Sequence, residues 1–172
     1  MRFFFPLVLI FTAIGLSIYA YLGGLRTPSA ALETTAAPVL LAGQPFRGKV
    51  DDARFGELFR EAKQRQDANH DLPLANLYYN DPESAHDSIR AFVGVRVPDS
   101  AAVLPTGWRY RVVPAGRRVV AARVRGVSFL LAPGKLYAAA QQAIKEQKLT
   151  KQPFYLEQFG ADEVDELRVG VK

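Results

Sequence analysis

Pro153-Phe154-Tyr155-Leu156-Glu157-Gln158-Phe159 sets a single acid inside a run whose aromatics and leucine otherwise have the character of a buried strand. Strand side chains alternate with period two, so Tyr155, Glu157 and Phe159 share one face and Phe154, Leu156 and Gln158 the other. A carboxylate between two rings is either solvated at a sheet edge or turned into a cavity whose occupant it orients. The second arrangement is a binding site, and the stretch itself does not name the ligand.

Outward from this strand, Glu166 to Val171 forms a closing strand, and a helix from about Pro133 to Lys148 precedes it. That helix turns Leu136, Ala139, Ala140, Ala143 and Ile144 inward, with its proline at a permitted helix start. Trp108 to Val113 and Arg117 to Val124 are strands around a Pro114-Ala115-Gly116 turn. Earlier, Val39 opens a strand running towards Phe46 and Val50. Asp51-Asp52 then caps a helix, ARFGELFREAKQRQ, with Phe55, Leu58, Phe59 and Ala62 on one face. Leu74 to Tyr79 is a strand ended by Asn80-Asp81-Pro82, and Ile89 to Val97 is stopped by Pro98. Each half is strand, helix, strand, strand, with an extra strand opening the second half. The pattern predicts an α+β fold: a duplicated β-α-β-β unit forming one antiparallel sheet with two helices packed on it.

Ahead of this unit, residues 3–22 (FFFPLVLIFTAIGLSIYAYL) carry no charge and supply the roughly 20 apolar residues a transmembrane helix needs. The expectation is a single-pass anchor over 3–22, a flexible linker over 23–37 and a ligand-binding domain over 38–172. A cleaved signal peptide is the competing reading. Its apolar core would be about 7–15 residues, and a cut after Ala20 meets bulky Ile18 two positions earlier. Arg2 favours the N-terminus inside, whereas Arg26, Arg47 and Lys49 favour the downstream side inside, so the membrane face of the domain stays open.

The chain has 22 Lys and Arg against 17 Asp and Glu, a formal net charge of +5. This mild excess favours an anionic membrane surface, and with no recognised DNA- or RNA-binding motif no nucleic-acid partner is expected. The absence of cysteine excludes disulfides, thiolate metal sites and cysteine nucleophiles. His70 and His86 stand in polar loops without ligand spacing on a common element, so no metal site is expected. There is no phosphate-binding glycine loop and no G-x-S-x-G elbow, and no cofactor is expected. Arg109, Arg111, Arg117, Arg118, Arg123 and Arg125 crowd the second half, as a solvated sheet face or as a contact for anionic lipid.

Leu77-Tyr78-Tyr79-Asn80-Asp81-Pro82, Tyr110-Arg111-Val112-Val113-Pro114-Ala115-Gly116 and Leu156-Glu157-Gln158-Phe159 occur in an order and spacing that cover nearly all of residues 38–172. Together they resemble the GyrI-like small-molecule-binding family, the effector-binding domain of multidrug-responsive regulators. With the N-terminal apolar helix the chain is similar to a membrane-anchored branch of that family. The resemblance implies that Glu157 orients a cationic, aromatic-rich ligand in a pocket walled by Tyr155, Phe159, Trp108 and Tyr110, with Tyr79 as a further ring. A carboxylate in a low-dielectric pocket attracts a lipophilic cation, and ring faces add to that attraction. Were Arg123 or Arg125 to reach Glu157, the pair would neutralise itself and an acidic or polar ligand would fit better.

The function implied is non-catalytic: sensing or sequestering a hydrophobic or aromatic molecule beside the bilayer. Two alternatives stay open. One is a hydrolase of small electrophiles, with Glu157 as general base and Tyr110 or Tyr155 as donor. The other is a protein or lipid-surface adaptor using the arginine-rich strands, which a pocket filled by the chain's own side chains would favour.

Overall fold

The computed structural model describes residues 4–85, 87–161 and 164–172. In chain order the elements are α1 (Phe4–Tyr21), β1 (Ser29–Thr34), β2 (Val39–Gly48), α2 (Ala53–Ala68), β3 (Leu74–Tyr78) and β4 (Ile89–Arg96). The second half continues with β5 (Arg109–Val113), β6 (Arg118–Arg125), α3 (Ala132–Glu146), β7 (Lys151–Ala161) and β8 (Val164–Val171). Local chemistry accounts for the helix starts. Asp52 accepts from the Arg54 backbone N–H at 2.8 Å, and Pro133 sits in the first turn of α3, where its missing N–H costs nothing.

All eight strands form one antiparallel sheet in the order β1-β6-β8-β7-β3-β4-β2-β5. The two expected β-α-β-β units are visible in it as β2-α2-β3-β4 and β6-α3-β7-β8, meeting where β7 pairs with β3. The outer strands are exchanged between halves. β1 pairs with β6 of the second unit, and β5 pairs with β2 of the first.

Both helices lie on one side of the sheet. α2 packs over β2, β3 and β4, and α3 over β1, β6 and β8. The central strand β7 therefore runs beneath the gap between them. The main core lies on this side, built from Phe55, Leu58, Leu136 and Ile144 against Val93, Val120, Leu167 and Val169. A smaller cluster with Leu41, Leu77, Phe92, Phe154 and Leu156 occupies the back of the sheet. Gly43 and Gly94 pair across β2 and β4, and a Cβ on either would fall 2.2 Å or less from the partner strand's carbonyl oxygen, so this close crossing requires glycine at both positions.

Two expectations about the N-terminal region are corrected. The apolar segment does form a helix, α1, over Phe4–Tyr21. Among the described residues no helix is long and apolar enough to cross a membrane, so the transmembrane anchor and the single-pass membrane localisation do not stand. Phe3 lies outside the described residues. Within 23–37, expected to be a flexible linker, Ser29–Thr34 is a sheet strand. The residues before it are tied down as well. The Ser128 N–H donates to the Leu22 carbonyl at 2.9 Å, and Lys135 Nζ donates to the carbonyls of Gly24 and Arg26 at 2.6 and 2.8 Å.

Candidate functional site

Glu157 faces the helix side of β7, directly opposite Asn76 of β3. It is 7 % exposed. Tyr137 of α3 donates its hydroxyl to Glu157 Oε1 at 2.9 Å, and Asn76 Nδ2 donates to Oε2 at 3.3 Å, with the Tyr78 hydroxyl also directed at the carboxylate. Burial pushes the Glu157 carboxyl above its usual range, and the three donors oppose that shift without cancelling it. Tyr137 and Tyr78 are raised as well, by burial first and by the neighbouring acid second. Tyr137 also stacks on Tyr155 at a ring-centroid distance of 6.4 Å. Glu157 is thus held by neutral donors and covered by a tyrosine of the helix above it, without an ion pair among the described residues.

A cavity of about 860 Å³ opens two residues further along the same strand face. Phe59 of α2, Leu74 of β3, Val127 and Phe129 of the β6–α3 loop, and Phe159 of β7 give it apolar walls. Phe129 and Phe159 meet edge to face at 5.1 Å. The floor is shaped by a bulge in β7. Gly160 has φ +84°, a conformation suited to glycine, and a Cβ there would come within 2.4 Å of Gln66 Nε2. That amide donates to the Phe159 carbonyl at 2.9 Å, and the Gly160 N–H donates to Asp165 Oδ1 at 3.1 Å. Asp165 of β8 lines the cavity, and burial raises its carboxyl above the usual range. Arg60 and Lys63 of α2 stand at the exposed rim.

The expected site residues separate into two groups. Tyr155, Glu157 and Phe159 are brought together on one face of β7, and Phe159 reaches the cavity. Trp108 and Tyr110 belong to the far edge of the sheet, with β3, β4 and β2 between β5 and β7, roughly 19 Å at four strand spacings. There Trp108 Nε1 donates to Glu61 at 3.4 Å under the Arg65 guanidinium, and the Tyr110 hydroxyl donates to the Ala102 carbonyl at 2.5 Å. Tyr79 packs against the back cluster, where its hydroxyl accepts from Arg111 Nε at 2.9 Å. Tyr137 and Asp165 escaped the sequence analysis. Tyr137 flanks the inward stripe of α3, and Asp165 follows the acids Asp162 and Glu163, so it has the look of a turn residue.

The arginines do not reach Glu157. Arg123 lies on the back face, 2.7 Å from Glu33 and 2.6 Å from Glu166, and Arg168 lies 2.8 Å from the other oxygen of Glu166. The bond from Arg123 holds the Glu33 carboxyl below its usual range. Arg125 is exposed at the end of the same strand face as Arg123. Arg117 covers the Phe154 ring at 4.6 Å. His86 lies outside the described residues; among the described residues no group of three or more His, Cys, Asp or Glu is placed to hold a metal.

No protein-family profile matches the chain, and no curated protein matches it. Solved structures do. An integron cassette protein from the mobile metagenome of Vibrio cholerae aligns over 85 % of this chain and 96 % of its own, at TM-score 0.60 and 13 % identity. SAV2435 bound to tetraphenylphosphonium aligns over 84 % of this chain and 94 % of its own, at TM-score 0.56 and 11 % identity. The C-terminal domain of EcmrR aligns over 86 % and 98 %, at TM-score 0.54 and 14 % identity. These likenesses concern the fold alone.

Proposed function

We propose that this protein binds a small hydrophobic or aromatic molecule in the cavity between α2 and the β6–α3 loop. The observation that carries this is the cavity itself: about 860 Å³, walled by five apolar side chains, with a few polar groups on its floor. Small-molecule sites have this size and this balance of apolar wall and sparse polar contact. The fold shared with a tetraphenylphosphonium-bound protein supports the same reading. Sensing or sequestering the molecule needs no chemistry from the chain. The hydrolase alternative gains less support, because Glu157, its general base, is covered by Tyr137 and does not line the cavity.

Isothermal titration with small naphthalene derivatives tests the proposal. Val127→Trp places a large side chain in the cavity from a loop position, and binding is expected to weaken about tenfold or more while the thermal midpoint holds. Unchanged affinity in that variant would move the binding site elsewhere.

A further inference from the structure

The back of the sheet, which neither α2 nor α3 covers, is lopsided in charge. Arg96 and Arg111 are the register partners of Leu41, a residue of the back cluster, so both arginines stand on the back. Period-two alternation puts Arg47, Arg90 and Arg109 there with them. No Asp or Glu occurs on β2, β3, β4 or β5, and none of these five arginines makes an ion pair among the described residues. β5 is also the free edge of the sheet, bonded to β2 alone. The Leu40 carbonyl accepts from the Val97 N–H at 3.0 Å, which turns the Leu40 backbone towards β4. Its partner across the ladder, Val112, therefore points its own N–H and C=O away from β2, and Tyr110, two residues earlier, does the same. On the helix side this edge leaves Val112 59 % exposed.

We infer that the β5 edge is a docking site for an acidic extended peptide, which adds to the sheet as a further strand and sets Asp or Glu at alternate positions against Arg109 and Arg111. The outward N–H and C=O groups of Tyr110 and Val112 supply the ladder, and the side chains of an added strand fall alternately on the two faces. Those on the back meet the two arginines, whose guanidinium groups make charge-assisted bonds to carboxylates. Arg111 is already oriented for this. It lies over the Tyr79 ring at 5.5 Å and donates from Nε to the Tyr79 hydroxyl at 2.9 Å, which leaves its two Nη groups for a carboxylate. Side chains on the helix side meet Tyr110 and Val112, so the matching peptide alternates acid with apolar residue. A nucleic acid brings anions, but its sugar–phosphate backbone has no N–H to give the outward carbonyls. The β5 edge of a second copy would set arginine against arginine, like charges directly opposite. The edge lies four strands from β7, so this docking does not depend on what the cavity binds.

Fluorescence anisotropy on the full chain tests this with a labelled peptide alternating glutamate and valine. The comparison probes are a shuffled peptide of the same composition with its glutamates in one block, the alternating peptide with its backbone N-methylated, and an oligodeoxythymidylate. The alternating peptide is expected to bind wild type about tenfold more tightly than the shuffled and N-methylated peptides. Arg109→Ala and Arg111→Ala should each weaken it about threefold to fivefold. Val112→Pro should weaken it about fivefold, since proline there removes an outward N–H and leaves the ladder to β2 whole. Arg125→Ala removes an exposed back-face arginine at the end of β6 and should leave the affinity within about twofold. A thermal midpoint near that of wild type reports an intact sheet in each variant, and the exposed Arg109→Ala keeps the test decisive should Val112→Pro fail to fold. No binding of the alternating peptide overturns the inference. So does equal binding of the shuffled or N-methylated peptide, which would reduce the site to plain charge, or an equal loss in Arg125→Ala. Tighter binding of the oligonucleotide than of the peptide overturns it in favour of a nucleic-acid partner.

Discussion

Glu157 and Glu166 lie on adjacent strands, both are buried, and they face opposite sides of the sheet. Glu166, on the back, is flanked by Arg123 and Arg168 and also accepts from Gln158. Glu157, on the helix side, has tyrosine hydroxyls and an amide, but no cation among the described residues. The difference shows how the sheet sorts charge. Period-two alternation sends Arg123 and Arg168 to the back, where they neutralise Glu166 and Glu33, and leaves Glu157 and Asp165 on the side that carries the cavity. One face uses ion pairs to hold β1, β6 and β8 together. The other holds Glu157 with neutral donors and sets Asp165 at the cavity wall.

The contrast can be broken most forcefully at Glu166. Replacing it with alanine leaves Arg168 without its carboxylate and Arg123 with Glu33 alone, and a loss of about 3 kcal/mol is expected in urea denaturation. A loss below about 1 kcal/mol would make it an ordinary surface pair and erase the contrast. Tyr137→Phe should cost less, about 1–2 kcal/mol, since it removes one hydrogen bond to a charged group. It should also shift the Glu157 titration further upward, because the Tyr137 bond lowers that carboxyl; a carboxyl NMR titration would detect either a shift or its absence.

The pH dependence gives a third and smaller effect. Glu157 and Asp165 are both raised in the folded state, so the folded chain holds more protons than the unfolded one between the ordinary and the raised values. Their contribution is favourable at low pH and is lost as pH rises from the ordinary value, 4.5 for Glu157, through the folded one. Glu157→Gln should therefore gain stability relative to wild type as pH climbs through that window. A difference curve that is flat with pH would show that Glu157 is not perturbed.

Much of the fold is legible in the residues. The caps, the Asn80-Asp81-Pro82 stop and the alternation of β7 set the element boundaries and the face of Glu157. Strand order is not legible, because the exchange of β1 and β5 between halves depends on contacts across the whole chain. That is why Trp108 and Tyr110, on a strand of suitable pattern, lie far from Glu157. β1 itself, Ser29-Ala30-Ala31-Leu32-Glu33-Thr34, has little intrinsic strand preference and takes its form from pairing with β6. Tyr137 needed the position of α3 relative to the central gap, and Asp165 needed the register of β8 against the bulge.

The exchange of edge strands has a further consequence for solubility. Ser29–Thr34 pairs with Arg118–Arg123, so the backbone of Val119-Val120-Ala121-Ala122 is satisfied on both sides only while that short strand is in place. Removing it would bare a hydrophobic edge with unpaired N–H and C=O groups, a template on which another chain can add a strand. The contact also joins segments about half a chain length apart, so β6 stays uncovered until distant segments meet, which favours slow folding. This modest six-residue strand therefore protects the sheet against self-association.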